Sequence, residues 1–219
     1  MITKEQGDLL VKQALPVVSL SIGIVSLALG IIRAGASTIG QRVETSNGQY
    51  LVNVRRGQWY DLRDFVQPDN PDVDALYSEI GPDAWALYDE VSKRISYRLD
   101  VGEMFLFPSE TLARGQGDCE DTSILLTSLL RNFADAHVAL GSLHGLGHAW
   151  VVYGGEIFET TYTAARPVPD PENYVAFVLF DEREVLELWP GALGEVFNIG
   201  RDEETKLNLM ARALGAAGT

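Results

Sequence analysis

The chain has 219 residues, 46% of them hydrophobic, which is enough to bury one good core with some length left over. Its net charge of −14 excludes the basic stripe that nucleic-acid binding requires, and its single cysteine, Cys119, excludes an internal disulfide framework. Lys4, Lys12, Lys93 and Lys206 are the only lysines, against 13 arginines, which reads as ordinary scatter in an acidic surface.

From Gln13 to Ile32 the sequence QALPVVSLSIGIVSLALGII carries no charge, and Lys12 and Arg33 bracket it. Coiled as a helix, such a run spans a hydrocarbon core of about 30 Å. Residues 1–36 therefore read as an N-terminal hydrophobic helix that anchors the chain in a membrane through residues 13–32. Two other readings stand beside it. The small-x-small stretch Ala34-Gly35-Ala36 fits a cleaved signal, after which the chain would be secreted, and the run also fits a helix buried in an assembly. Basic residues flank both ends, so the side of the membrane is undecided. Ser19, Ser21, Gly23, Ser26, Ala28 and Gly30 would allow close helix packing and hence self-association.

Residues 37–71 read as a polar linker with one short strand, QYLVNV, and end on Pro68-Asp69-Asn70-Pro71. DVDALYSEI and DAWALYDEVSKRISY follow with helical spacing, separated by Gly81-Pro82, with Pro82 suited to a first helical turn. PSETLARGQG predicts a short helix with Ser109 as cap and Gly115 as stop. The helix after Asp118 runs to about Phe133. Beyond it the period becomes two, and HVALGSL, HAWVVY, EIFETTY and NYVAFVLF read as strands. EETKLNLMARAL predicts a closing helix within a helical tail, 191–219. Helices first and strands after make residues 72–190 an α+β domain.

The chemistry concentrates at Gly115-Gln116-Gly117-Asp118-Cys119-Glu120-Asp121. Asp118 suits an N-cap and Asp121 the acid that reaches back to it, which puts Cys119 in the first helical turn. There the helix dipole favours a thiolate, the nucleophilic form. Glu120 reads as a solvated first-turn acid. A thiol of this kind needs a base, and His137, His144 and His148 are the histidines. Gly154-Gly155 predicts a two-residue hairpin, in which Tyr153 pairs Glu156 and Trp150 pairs Glu159. His148, Trp150 and Glu159 then share one face, and Glu159 reaches His148 diagonally to hold its ring. A cysteine, a base and an orienting acid form the covalent-catalysis constellation. His137, at the start of an apolar strand, reads as structural. Gln116 tempts an oxyanion role, but the backbone N–H of Cys119 is the safer donor. No metal is expected: HGLGH is too rich in glycine to place two imidazoles on one helix face.

GQGDCED, HAW and FETT, in that order, resemble the transglutaminase-like superfamily of papain-like cysteine enzymes, and most of all its microbial cysteine proteinase branch. FLFPSETLARGQGDCED resembles the lead-in to that family's nucleophile. The similarity covers roughly residues 75–185. It implies a papain-like core with the nucleophile at a helix N-terminus packed on an antiparallel sheet. It implies Cys119 as nucleophile, His148 as base and then acid, and Glu159 in place of the commoner aspartate. Asp118, Asp121 and Trp150 support the site, and no cofactor is implied. The expected activity is acyl transfer on peptide or glutamine amides, most simply hydrolysis of a protein or peptide substrate. The alternative is a non-catalytic binding or structural module anchored in a membrane or assembly.

Overall fold

The computed structural model describes residues 43–55, 58–98, 104–161, 168 and 170–199. The chain divides into two units, Met1–Gly40 and Gln41–Thr219. The apolar run 13–32 and the closing helix expected at 202–213 lie outside the described residues. Among those described, no helix is long and apolar enough to cross a membrane.

The expected linker is instead built into the fold. β1 (Val43–Ser46), β2 (Gln49–Arg55) and β3 (Gln58–Asp61) form an antiparallel sheet in that order. Asn47 and Gly48 both take positive φ, 52° and 76°, which suits a tight hairpin between short twisted strands. Val52 and Val54 of β2 are buried with Leu62, Phe65, Val66 and Phe105. Burying two valines gives this segment an apolar payload that its polar composition hid.

α1 (Pro71–Ile80) starts where Asn70 accepts the Asp72 N–H at 3.0 Å, with Pro71 in the first turn. α2 (Ala84–Arg94) starts where Asp83 accepts the N–H groups of Trp85 and Ala86, each at 3.0 Å. Pro82 thus precedes the cap rather than opening the helix. In α3 (Pro108–Arg114) it is Pro108 that opens the helix, and Glu110 reaches back to the Phe107 N–H at 2.9 Å. Ser109, expected as the cap, lies inside the first turn. Gly115, at φ 61°, ends the helix as its position predicts. A short parallel pair, β4 (Ser96–Tyr97) and β5 (Gln116–Gly117), leads into α4 (Cys119–Leu130).

The main sheet contains β6 (Ala136–Leu143), β7 (Leu146–Tyr153), β8 (Glu156–Phe158), β9 (Tyr174–Phe180) and β10 (Val185–Glu187). Its order is β10-β9-β6-β7-β8, and all neighbours are antiparallel. Both hairpins flanking β7 turn on two residues with positive φ, His144-Gly145 and Gly154-Gly155. Val138, Leu140, Ala149, Val178 and Phe180 bury one face of this sheet together with Ile124 of α4. Leu125, Leu126, Leu129 and Leu130 meet Val73 and Leu76 of α1 and Leu87 and Val91 of α2. α4 is thus enclosed on all sides, which explains why its apolar residues show no single stripe. Among the described residues the final helix, α5, occupies 192–199, and its Leu193 and Phe197 return to the core. The result is a mixed arrangement of helices on an antiparallel sheet.

Candidate active site

Cys119 is the first residue of α4, as the capping pattern predicts. Asp118 is extended (φ −103°, ψ −157°), and its N–H points to Asp121 Oδ2 at 3.4 Å. The other oxygen of Asp121 accepts the Leu106 N–H at 2.8 Å. One buried carboxylate therefore fixes both the helix start and the segment that runs past it. Gly117 makes this packing possible: a Cβ there would stand 2.7 Å from the Asp121 Cβ.

The register around His148 is the one the hairpin predicts. Tyr153 pairs Glu156, Val152 pairs Ile157 and Val151 pairs Phe158, without a bulge. Glu159 follows directly, and its Oε2 lies 2.7 Å from His148 Nε2. The His148 ring stacks on Trp150, which is 1% exposed, with centroids 6.2 Å apart and planes 26° apart. Opposite His148 in the sheet is Gly141. A Cβ on Gly141 would fall 2.0 Å from the Val175 carbonyl oxygen and 2.9 Å from Trp150 Cη2, so only glycine leaves room for the indole.

Three partners of Glu159 have no counterpart in the sequence reading. Tyr174 donates its hydroxyl to the Oε2 that His148 uses, at 3.1 Å. Thr161 donates its N–H to Oε1 at 2.9 Å and its hydroxyl to the same oxygen. Tyr88 donates to the Glu159 carbonyl at 2.8 Å, and the hydroxyls of Thr160 and Thr122 meet at 2.7 Å, joining this segment to α4. Burial pulls the Glu159 carboxyl upward, but the His148 and Thr161 hydrogen bonds outweigh it and hold the group below the usual carboxylate range. It is thus an anion, fit to orient an imidazole. Tyr174 was hidden because β9 reaches β6 through a register shift between Leu140 and Gly141, which strand alternation cannot reveal.

The thiol differs from expectation. Burial first, then the charges of Glu120 and Asp118, push Cys119 well above the usual thiol range. Glu120 is not solvated: it is 8% exposed, and the thiol donates to its Oε2 at 3.0 Å. Burial, Asp118 and Asp121 push the Glu120 carboxyl well up in turn. The dipole of α4 favours a thiolate, but burial and the carboxylates of Glu120 and Asp118 oppose it. The backbone of Ala149, the residue after His148, pulls the thiol the other way, more weakly than burial and the two carboxylates push it up. The structure therefore brings Cys119 to β7, while the thiol's side-chain hydrogen bond goes to Glu120 and not to His148. Gln116 is exposed and accepts from Arg98 Nη1 at 2.9 Å, apart from this chemistry.

No family model matches the sequence, and no curated protein does. Among solved structures, the chain is similar to Legionella pneumophila LapG at 12% identity and a TM-score of 0.44, covering 65% of this chain and 94% of that one. A calcium-bound LapG structure is similar at 15% identity and a TM-score of 0.42, covering 57% and 87%. The Cytophaga hutchinsonii "Putative Cysteine Protease" is similar at 20% identity and a TM-score of 0.37, covering 53% and 48%. Likenesses of this size assign no role to any residue here, and the candidate site is defined by its own geometry.

Proposed function

We propose that the chain is a thiol enzyme that transfers acyl groups from peptide or glutamine amides, with water as the usual acceptor. Cys119 is the nucleophile, His148 the base, and Glu159 the acid that orients it. The supporting observation is the 2.7 Å bond from His148 Nε2 to a buried Glu159, with His148 on β7, the strand that packs against the helix begun by Cys119. With Nε2 engaged, Nδ1 is the nitrogen left to take the thiol proton. The thiolate attacks the amide carbon and forms the C–S bond, and the oxyanion rests against the backbone N–H of Cys119. His148 then gives its proton to the leaving nitrogen as the C–N bond breaks. Water, deprotonated by His148, cleaves the thioester and restores the thiol.

A second reading has an observation of its own. A thiol bonded to Glu120 and held well above its usual range suits a site at rest, or a binding module that does no chemistry. Mass spectrometry of the full chain mixed with peptides and glutamine amides separates the readings. The enzyme accumulates an acyl adduct on Cys119 and releases ammonia or a peptide amine. Cys119→Ser forms no adduct, and His148→Ala slows the reaction by about 10²–10⁴-fold. A chain that retains peptides without adduct or release is the module.

A further inference from the structure

The far end of α4 carries a second cluster of ionisable groups. The helix advances about 1.5 Å per residue, so its C-terminal cap, Arg131, lies roughly 18 Å from Cys119. Around Arg131 stand Asp135, which leads into β6, and Asp181 and Glu182, which follow β9. Arg131 binds Asp135 through Nη1, both oxygens of Glu182 at 2.8 Å, and Asp181 Oδ2 at 3.3 Å. His137, the second residue of β6, points its Nε2 into the same cluster. Its side chain is 3% exposed, and Nε2 has no hydrogen-bond partner.

An imidazole nitrogen buried without a partner is costly, which makes its surroundings informative. Nε2 lies 3.6 Å from Asp181 Oδ2 and 3.7 Å from Glu184 Oε1. Both separations exceed the range of about 2.7–3.2 Å for an N–H···O bond. They match two ligands on one tetrahedral metal, which stand about 3.4 Å apart when each bond is near 2.1 Å. One ligand atom from each of Asp135, His137 and Asp181 falls within 4.8 Å of the others. Four carboxylates, of Asp135, Asp181, Glu182 and Glu184, stand here with two guanidinium groups, Arg131 and Arg183, the latter 2.9 Å from Glu182 Oε1, so the described side chains still carry more negative than positive charge.

We propose that Asp135, His137 and Asp181 hold a divalent transition metal of the zinc class, with Glu184 able to close the shell. Imidazole mixed with carboxylate favours zinc over magnesium or calcium, which prefer oxygen alone. The metal is structural. It fastens the loop before β6 to the turn between β9 and β10, at the opposite end of α4 from the thiol.

The test is calorimetric titration of zinc, magnesium and calcium chlorides into the metal-stripped full chain. Cys119→Ser and His148→Ala are introduced together so that the candidate active site cannot compete for metal. One zinc per chain is expected, binding at least tenfold more weakly in His137→Gln. The ring nitrogens of His137 should shift on zinc addition in long-range proton–nitrogen spectra. If His137→Gln does not fold, Glu184→Gln, at a half-exposed side chain, is expected to weaken binding roughly tenfold. The proposal is overturned by no zinc uptake at millimolar zinc, by a His137 ring that does not respond, or by magnesium or calcium binding as well as zinc.

Discussion

After burial itself, the side chain that bears most on the thiol is Glu120. Its folded form holds a proton more tightly than the unfolded chain, whose glutamates titrate near 4.3. The stability contributed by the neutral carboxyl is therefore complete below that value and is lost as pH rises through the folded value. Glu120→Gln stays neutral throughout. Its melting temperature should match wild type in acid and exceed it increasingly toward neutral pH, by about 2–4 °C for each kcal/mol relieved. The same substitution leaves the thiol an oxygen to donate to and removes one of the charges that push it up. Iodoacetamide labelling of Cys119 should then begin at lower pH than in wild type. An unchanged labelling profile would mean that burial alone holds the thiol up. From sequence, the polar neighbours of Cys119 suggested an open, dipole-activated thiolate. What could not be read was that Glu120 turns inward, since a first-turn acid looks alike whether solvated or enclosed.

At the level of elements, β7 is the part that the sequence disclosed most fully. Alternation and two glycines fix its pairing with β8, because a slip by one residue would turn Trp150 and Val151 to the wrong faces. The pairing with β9 was not legible, and Tyr174 was missed with it. β2 was legible as the strand QYLVNV, but its partners β1 and β3 were missed for another reason: each is only four residues long, VETS and QWYD, too short to show an alternating pattern. Gly141 carries the element-scale prediction. Gly141→Ala drives a methyl into the Val175 carbonyl and the Trp150 ring, an overpacking expected to cost about 1–3 kcal/mol. Thermal melting should fall by roughly 2–12 °C. Because Trp150 stacks on His148, hydrolysis should fall more than stability explains, with little change in the binding of peptide.

Across the whole molecule, α4 joins the two ends at which chemistry is possible: the thiol with its carboxylates at the start, and the Arg131 cluster at the finish. A chain enclosed so thoroughly around one helix gains most of its order from that helix's neighbours rather than from helix propensity. The His148–Glu159 bond spans a separation of 11 residues, within a meander of strands joined by two-residue turns. Loop closure that short is fast, whereas seating α4 against α1, α2 and the sheet draws on distant parts of the chain. The site should therefore assemble in two stages during refolding. Trp150 fluorescence should report the histidine half early, and protection of the thiol from a rapid label should come last. The one cysteine thereby serves as a clock for the completed fold, and a nascent chain whose thiol still reacts freely has His148 and Glu159 paired before Cys119 is seated.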